Sequence, residues 1–190
     1  MHPLVEFILL LNHLEKKMIN KGWECPTGLE IHKVAFVAHH RIVEKNGKGW
    51  ANRGGLITDD ARDYHINFTG AMGEYMVSKA LGILWNTSLH DVDGADLVTE
   101  CGKGIQVKTT IYNTGGLIHR PYEKVTDFHV LVVSRNKPFS FKVAGWMPKE
   151  TIRDEEYFDN PIMRNGRPPC WYVPIDKLEP MSMLRAILDK

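Results

Sequence analysis

The sequence predicts an α/β domain with a mixed, largely antiparallel central sheet, flanked by helices and preceded by an N-terminal helical lobe. Segments with apolar residues at helical spacing fill the first half of the chain. Residues 91–112, DVDGADLVTECGKGIQVKTTIY, read as two short strands joined by a tight turn over residues 100–104. Residues 128–133 form a near-continuous apolar run, the pattern of a strand covered on both faces. Phe139, Phe141 and Val143 then alternate with Ser140 and Lys142, which extends the same sheet by a strand with one wetter face.

The bulk properties set the frame. A chain of 190 residues suffices for one domain with its own core. Here residues 1–62 make the helical lobe and residues 63–190 the sheet-bearing core, and no internal repeat or second core is visible. Hydrophobic residues at 43% and charged residues at 25% argue against long disorder. The formal net charge is only +1, so a surface for nucleic acid must be a local patch. Cys25, Cys101 and Cys170 are far apart and form no CxxC pair, which speaks against a zinc ribbon or a disulfide framework and for thiols in a reducing compartment. Residues 7–11 are apolar, but Glu6 precedes them and Asn12 and His13 follow. That run is too short for a membrane span and lacks the basic start of a signal peptide, so a cytoplasmic protein is expected.

Leu4, Phe7, Ile8, Leu11, Leu14 and Met18 predict a first helix stopping at Gly22. Thr27 and Glu30 have the spacing of a capping box and predict the start of a second, with Ile31, Val34, Ala35, Ala38 and Ile42 on its apolar face and Asn46-Gly47 at its end. His39, His40, Arg41, Lys45, Lys48, Trp50 and Arg53 make a basic run at that end. It suits phosphate contact or a plain solvated face. A short helical turn is expected at residues 58–62 and a separate helix at residues 68–85, where Gly70 and Gly73 permit a close approach and Gly82 stops or bends the helix. Beyond the central strands, residues 145–148 are expected to leave the sheet toward a short helix near residues 149–152. Residues 153–170 read as a surface excursion, residues 171–173 as an edge strand ended by Pro174, and residues 181–188 as a final amphipathic helix.

The chemistry concentrates on the hairpin. Alternation sends Ile105, Val107 and Ile111 toward a core and Gln106, Lys108, Thr110 and Tyr112 to the opposite face. With an even register across the turn, Asp96 joins that polar face. A carboxylate, an amide oxygen and a lysine on one sheet surface can hold a hard metal ion beside a water. Glu74 lies on an otherwise core-facing helical stripe, where a carboxylate needs a partner or a metal. Thr110 and Tyr112 continue the polar face, and Lys103, Arg120 and Lys124 would give it a basic rim for phosphates.

The order Gly-x-x-Gly-Glu on a helix, then Asp93-Gly94-Ala95-Asp96, then Gln106-Val107-Lys108 resembles the PD-(D/E)XK nuclease superfamily, in the Mrr-like form with glutamine at the second position. The likeness covers about residues 68–112, and the second half looks like small phage or bacterial members. It implies a restriction-endonuclease-like core and a metal-dependent DNA nuclease, more often an endonuclease. Mg²⁺ (or Mn²⁺) would be held by Asp96, Gln106 and Glu74, with Lys108 as the catalytic lysine. Asp91 and Asp93 are further acids that could substitute or support. Duplex or branched DNA is the implied partner, with RNA left open, and a homodimer is common in the group. The amide at Gln106 removes a negative charge, which keeps alive a nucleic-acid-binding protein without cleavage. An unrelated interaction module, with the acids and lysine in surface ion pairs, is the third reading.

Overall fold

Thr27 and Glu30 close the start of the first described helix reciprocally. Thr27 N–H donates to Glu30 Oε2 at 2.7 Å, and Glu30 N–H donates to Thr27 Oγ1 at 3.3 Å, which satisfies donors that a helix start leaves open. The computed structural model describes residues 22–47, 60–85, 87, 94–137, 139–158 and 169–189. The expected first helix, residues 48–59, Asp91, Asp93 and residues 159–168 of the surface excursion lie outside them.

In chain order the elements are α1 (Gly28–Gly47), α2 (Asp60–Leu81), β1 (Leu97–Val98), β2 (Gly104–Thr110), β3 (Gly116–His119), β4 (Phe128–Asn136), β5 (Phe139–Pro148), β6 (Trp171–Pro174) and α3 (Met181–Leu188). A four-stranded sheet has the order β1-β2-β4-β5, and β3 pairs with β6 in a separate two-stranded sheet. The main sheet is mixed: β1–β2 and β4–β5 are antiparallel, while β2–β4 is parallel with Gln106 opposite His129 and Lys108 opposite Leu131.

Two apolar clusters make three layers. On one face of the main sheet, Leu97, Ile105, Val107, Val130 and Val132 pack with Val34, Val37 and Ala38 of α1, Ala71, Met72 and Met76 of α2, and Leu184 of α3. On the other face, Leu131 and Met147 meet Leu117 and Val173 of the small sheet, together with Ile152. β4 is therefore covered on both sides, and its residues from Phe128 to Ser134 are all buried. The described part of the expected helical lobe shares the core of the sheet through α1.

Several local expectations are corrected. Residues 60–81 form one continuous helix rather than a turn and a later helix, so Gly70 and Gly73 are interior positions. β2 ends at Thr110, and Ile111 is half exposed instead of buried. The third inward position belongs to Thr109, which faces α2. β5 runs on to Pro148 with a bulge opposite Leu131 and Val132, because Met147 and Trp146 each have a core to fill, one per face. Residues 149–153 are turns rather than a helix. β3 is a strand that the sequence reading does not predict.

The packing of α2 on β2 requires Gly73. A Cβ built there would collide with Thr109 Oγ1 and lie 3.2 Å from Thr109 Cβ, so helix and strand meet without room for a methyl group. Gly73→Ala should destabilise the fold by about 1–3 kcal/mol despite the better helix propensity of alanine. Adding Thr109→Ala, which removes the colliding hydroxyl, should recover most of the loss in urea denaturation. Strict additivity of the two changes would mean that the helix and strand are not in contact there.

Candidate functional site

The β1–β2 hairpin builds the first wall of the site. Asp96 N–H donates to Ile105 O at 3.0 Å, Leu97 pairs with Ile105, and Leu97 turns inward to the core. Strand alternation then sends Asp96 to the opposite face, beside Gln106. Asp96 Oδ2 accepts from Gln106 Nε2 at 2.7 Å and from Val107 N–H at 2.6 Å. These bonds fix the orientation of the carboxylate. Lys108, two residues along the same face, reaches Glu123 Oε1 with Nζ at 2.7 Å.

Asp96, Gln106 and Lys108 line one cleft of about 620 Å³ with Gly94, Tyr122, Glu123 and Lys124. Among the described residues that line it, the charged ones are two acids, Asp96 and Glu123, and two lysines, Lys108 and Lys124, so this wall is close to neutral. A second pocket, of about 720 Å³, adjoins it: Lys108 and Glu123 line both, and Thr110, Tyr112 and Arg120 line only the second. Lys103 lies outside both and sits 3.6 Å from Asp127 Oδ1.

Glu74 stands apart from this group. It accepts a bidentate pair of bonds from Arg41, at 2.6 Å each, and one from Trp85 Nε1 at 3.3 Å, and it does not line the cleft. It lies on α2, against the face of β2 from which Thr109 projects, whereas Gln106 and Lys108 project from the other. The partner that its buried carboxylate needs is thus a guanidinium. Arg41 is correspondingly drawn inward from the basic run, while His39 and His40 stay exposed and Lys48, Trp50 and Arg53 lie outside the described residues.

Sequence reasoning passed over Glu123. It sits in Arg120-Pro-Tyr-Glu-Lys124, a loop without periodicity, and the only local signal is one acid between two cations. Burial pushes the Glu123 carboxyl up, but the charge and hydrogen bond of Lys108 and the Arg120 N–H bond outweigh it and hold the group below its ordinary range. Behind Glu123, Arg153 Nε donates to His119 Nε2 at 3.0 Å. That leaves the ring proton on Nδ1, 3.7 Å from Glu123 Oε2. The His119 and His129 rings meet edge to face, 5.1 Å between centroids, and both are buried. Burial, with Arg153 close by, lowers His119 to about 4. Burial, with His119 close by, lowers His129 to about 3.

Among the described residues no group of three or more His, Cys, Asp or Glu side chains is placed to hold a metal ion, and no helix is long and apolar enough to cross a membrane. No protein-family model matches this chain, and no curated relative matches it. The chemistry of the cleft therefore has to be read from its own donors.

Two measurements check these electrostatics. Glu74→Gln keeps the shape but removes the carboxylate charge from the bidentate pair with Arg41. It should cost about 1–3 kcal/mol in urea denaturation, below the extreme for a fully buried pair because Arg41 is partly exposed. An unchanged midpoint would reduce the pair to a surface contact. For the histidines, the unfolded chain binds protons near pH 6.5 that the folded chain refuses until about 4 and 3. Their contribution is complete above about pH 6.5 and declines as the pH falls. Between about pH 6.5 and 4.5, before carboxylates protonate, stability should drop by roughly 2–3 kcal/mol per buried imidazole. A flat profile over that window would show that the two rings are protonated as easily in the folded protein as outside it.

Proposed function

We propose that this protein is a metal-dependent DNA nuclease, cutting as an endonuclease, on a restriction-endonuclease-like core. The observation that carries the reading is the cleft itself, where Asp96 and Gln106 touch at 2.7 Å with Lys108 beside them on one sheet face. The element order supports it: a long helix, the Asp96 hairpin, and a following strand parallel to the one bearing Gln106 and Lys108.

The donor set fits a hard divalent cation. The Asp96 carboxylate and the Gln106 amide oxygen are both hard oxygen ligands, and Mg²⁺ keeps several waters, so two protein oxygens suffice. Mg²⁺ (or Mn²⁺) bound there would neutralise charge on a phosphodiester and acidify a bound water. The near-neutral wall of the cleft gives this weight, because the protein charges alone offer a phosphate little net attraction. Asp96 is aimed by the Val107 N–H and the Gln106 amide. Lys108 supplies a donor for the phosphate oxygen on which charge builds, and Glu123 holds its ammonium in the cleft until substrate is present. Lys124, which lines the cleft, and Arg120, in the adjoining pocket, would meet the flanking phosphates.

One observation favours a second reading, a nucleic-acid-binding protein without cleavage. Position 106 carries an amide rather than a carboxylate, and that amide already donates to Asp96. Purified protein with Mg²⁺ or Mn²⁺ should nick supercoiled plasmid or cut branched DNA, and Asp96→Ala and Lys108→Ala should each lower the rate by a hundredfold or more, on the order of one lost transition-state contact. Variants that cut like the parent would place the chemistry elsewhere. Absence of cutting, with a gel shift that weakens steeply as salt rises, would favour the binding protein.

A further inference from the structure

The pocket adjoining the cleft has a different chemistry from the cleft. Its volume of about 720 Å³ falls within the range of small-ligand sites. Ile118, Leu131 and Tyr172 supply apolar wall, and Tyr112 and Arg120 line the pocket with them. The wall is built rather than incidental. Tyr172 is buried, its hydroxyl donates to Thr114 O at 3.4 Å, and its ring lies where a Cβ on Gly116 would come within 2.6 Å. Tyr112, by contrast, is 67% exposed, so its ring is available to a ligand.

A sugar-phosphate backbone is solvated and charged, and gains little from such a wall. A nucleobase is flat, largely apolar on its faces and polar at its edges, and it stacks on exposed tyrosine. Lys108 and Glu123 belong to both cavities, so the two are contiguous. We infer that this pocket receives the unstacked base of the nucleotide next to the scissile phosphate. The inference rests on the nuclease reading for the identity of the neighbouring group. It narrows the substrate to DNA that is single-stranded or unpaired beside the cut, because extracting a base from an intact duplex costs a few kcal/mol that an unpaired strand does not.

The test reads binding rather than cleavage. Fluorescence anisotropy of the full chain, with Ca²⁺ replacing Mg²⁺, compares a labelled single strand of about 12 nucleotides with its perfect duplex. The single strand should bind at least about fivefold more tightly. Tyr112→Ala should weaken single-strand binding by roughly tenfold, the scale of one lost base–aromatic stack, and leave the duplex unchanged. Tyr112→Phe, which keeps the ring, should bind as the parent does. Because Tyr112 is exposed, neither change threatens the fold. Equal affinity for strand and duplex, or a Tyr112→Ala effect that is absent or equal for both, would overturn the pocket assignment. These outcomes are separate from the fate of the nuclease reading. Cutting by the parent with an indifferent Tyr112→Ala would leave that reading standing and sink this one, while ring-dependent single-strand binding without cutting would keep the base pocket and overturn the nuclease reading, and with it the scissile character of the neighbouring phosphate.

Discussion

The parallel pairing of β2 with β4 is the constraint on which the site depends. Two parallel neighbours cannot be joined by a tight turn, so the chain between Thr110 and Phe128 must travel the length of the strands and return. Here that crossover contains β3 rather than a helix. It passes over the face of the sheet that carries Gln106 and Lys108, because α1 and α2 already fill the opposite one. The return leg sets Glu123 against Lys108 and places Tyr122 and Lys124 at the mouth of the cleft. An antiparallel β2–β4 hairpin would have left the polar stripe of β2 open to solvent. A stripe of polar residues becomes a cleft because of the direction of one strand.

The two faces of the sheet solve their polar residues differently. On the helical face, Glu74 is matched by Arg41 and Trp85, and Gly73 lets the helix settle onto Thr109. On the other face, Lys108 is held by a carboxylate that is itself backed by His119 and Arg153. The imidazoles are kept neutral at physiological pH, so they add no positive charge to that of the lysines and arginines near Glu123. Glu123 consequently keeps its charge directed at Lys108, and the lysine has a defined position before any ligand arrives.

Local signals were legible in the sequence, and partners distant along the chain were not. The capping box at Thr27 and Glu30, the Asp96 hairpin with its even register, and the doubly covered strand at residues 128–133 each follow from residues within one element. β3 was missed because four residues show no periodicity. Its pairing of Leu117 with Val173 depends on a strand more than fifty residues away. The same reason hides Glu123, whose importance lies in meeting Lys108 across the crossover. Glu74 was read correctly as a carboxylate in need of a partner. The choice between an arginine and a metal needed the packing of α1 on α2, which no spacing records.

Gln106 is better understood with the geometry in view. Its amide nitrogen lies 2.7 Å from Asp96 Oδ2, a distance at which two ionised carboxylates would repel strongly. A glutamate at this position would need either a bound cation or a shared proton to settle beside Asp96. The amide removes that demand, because it donates to Asp96 and still offers an oxygen. The hairpin can therefore keep one geometry with or without a metal, and Asp96 remains aimed in both states. The cost is one negative charge fewer to attract the ion, so a metal bound here would be held more weakly than by two carboxylates and exchanged more readily. For the proposed metal, the amide would trade affinity for a carboxylate that is already in place.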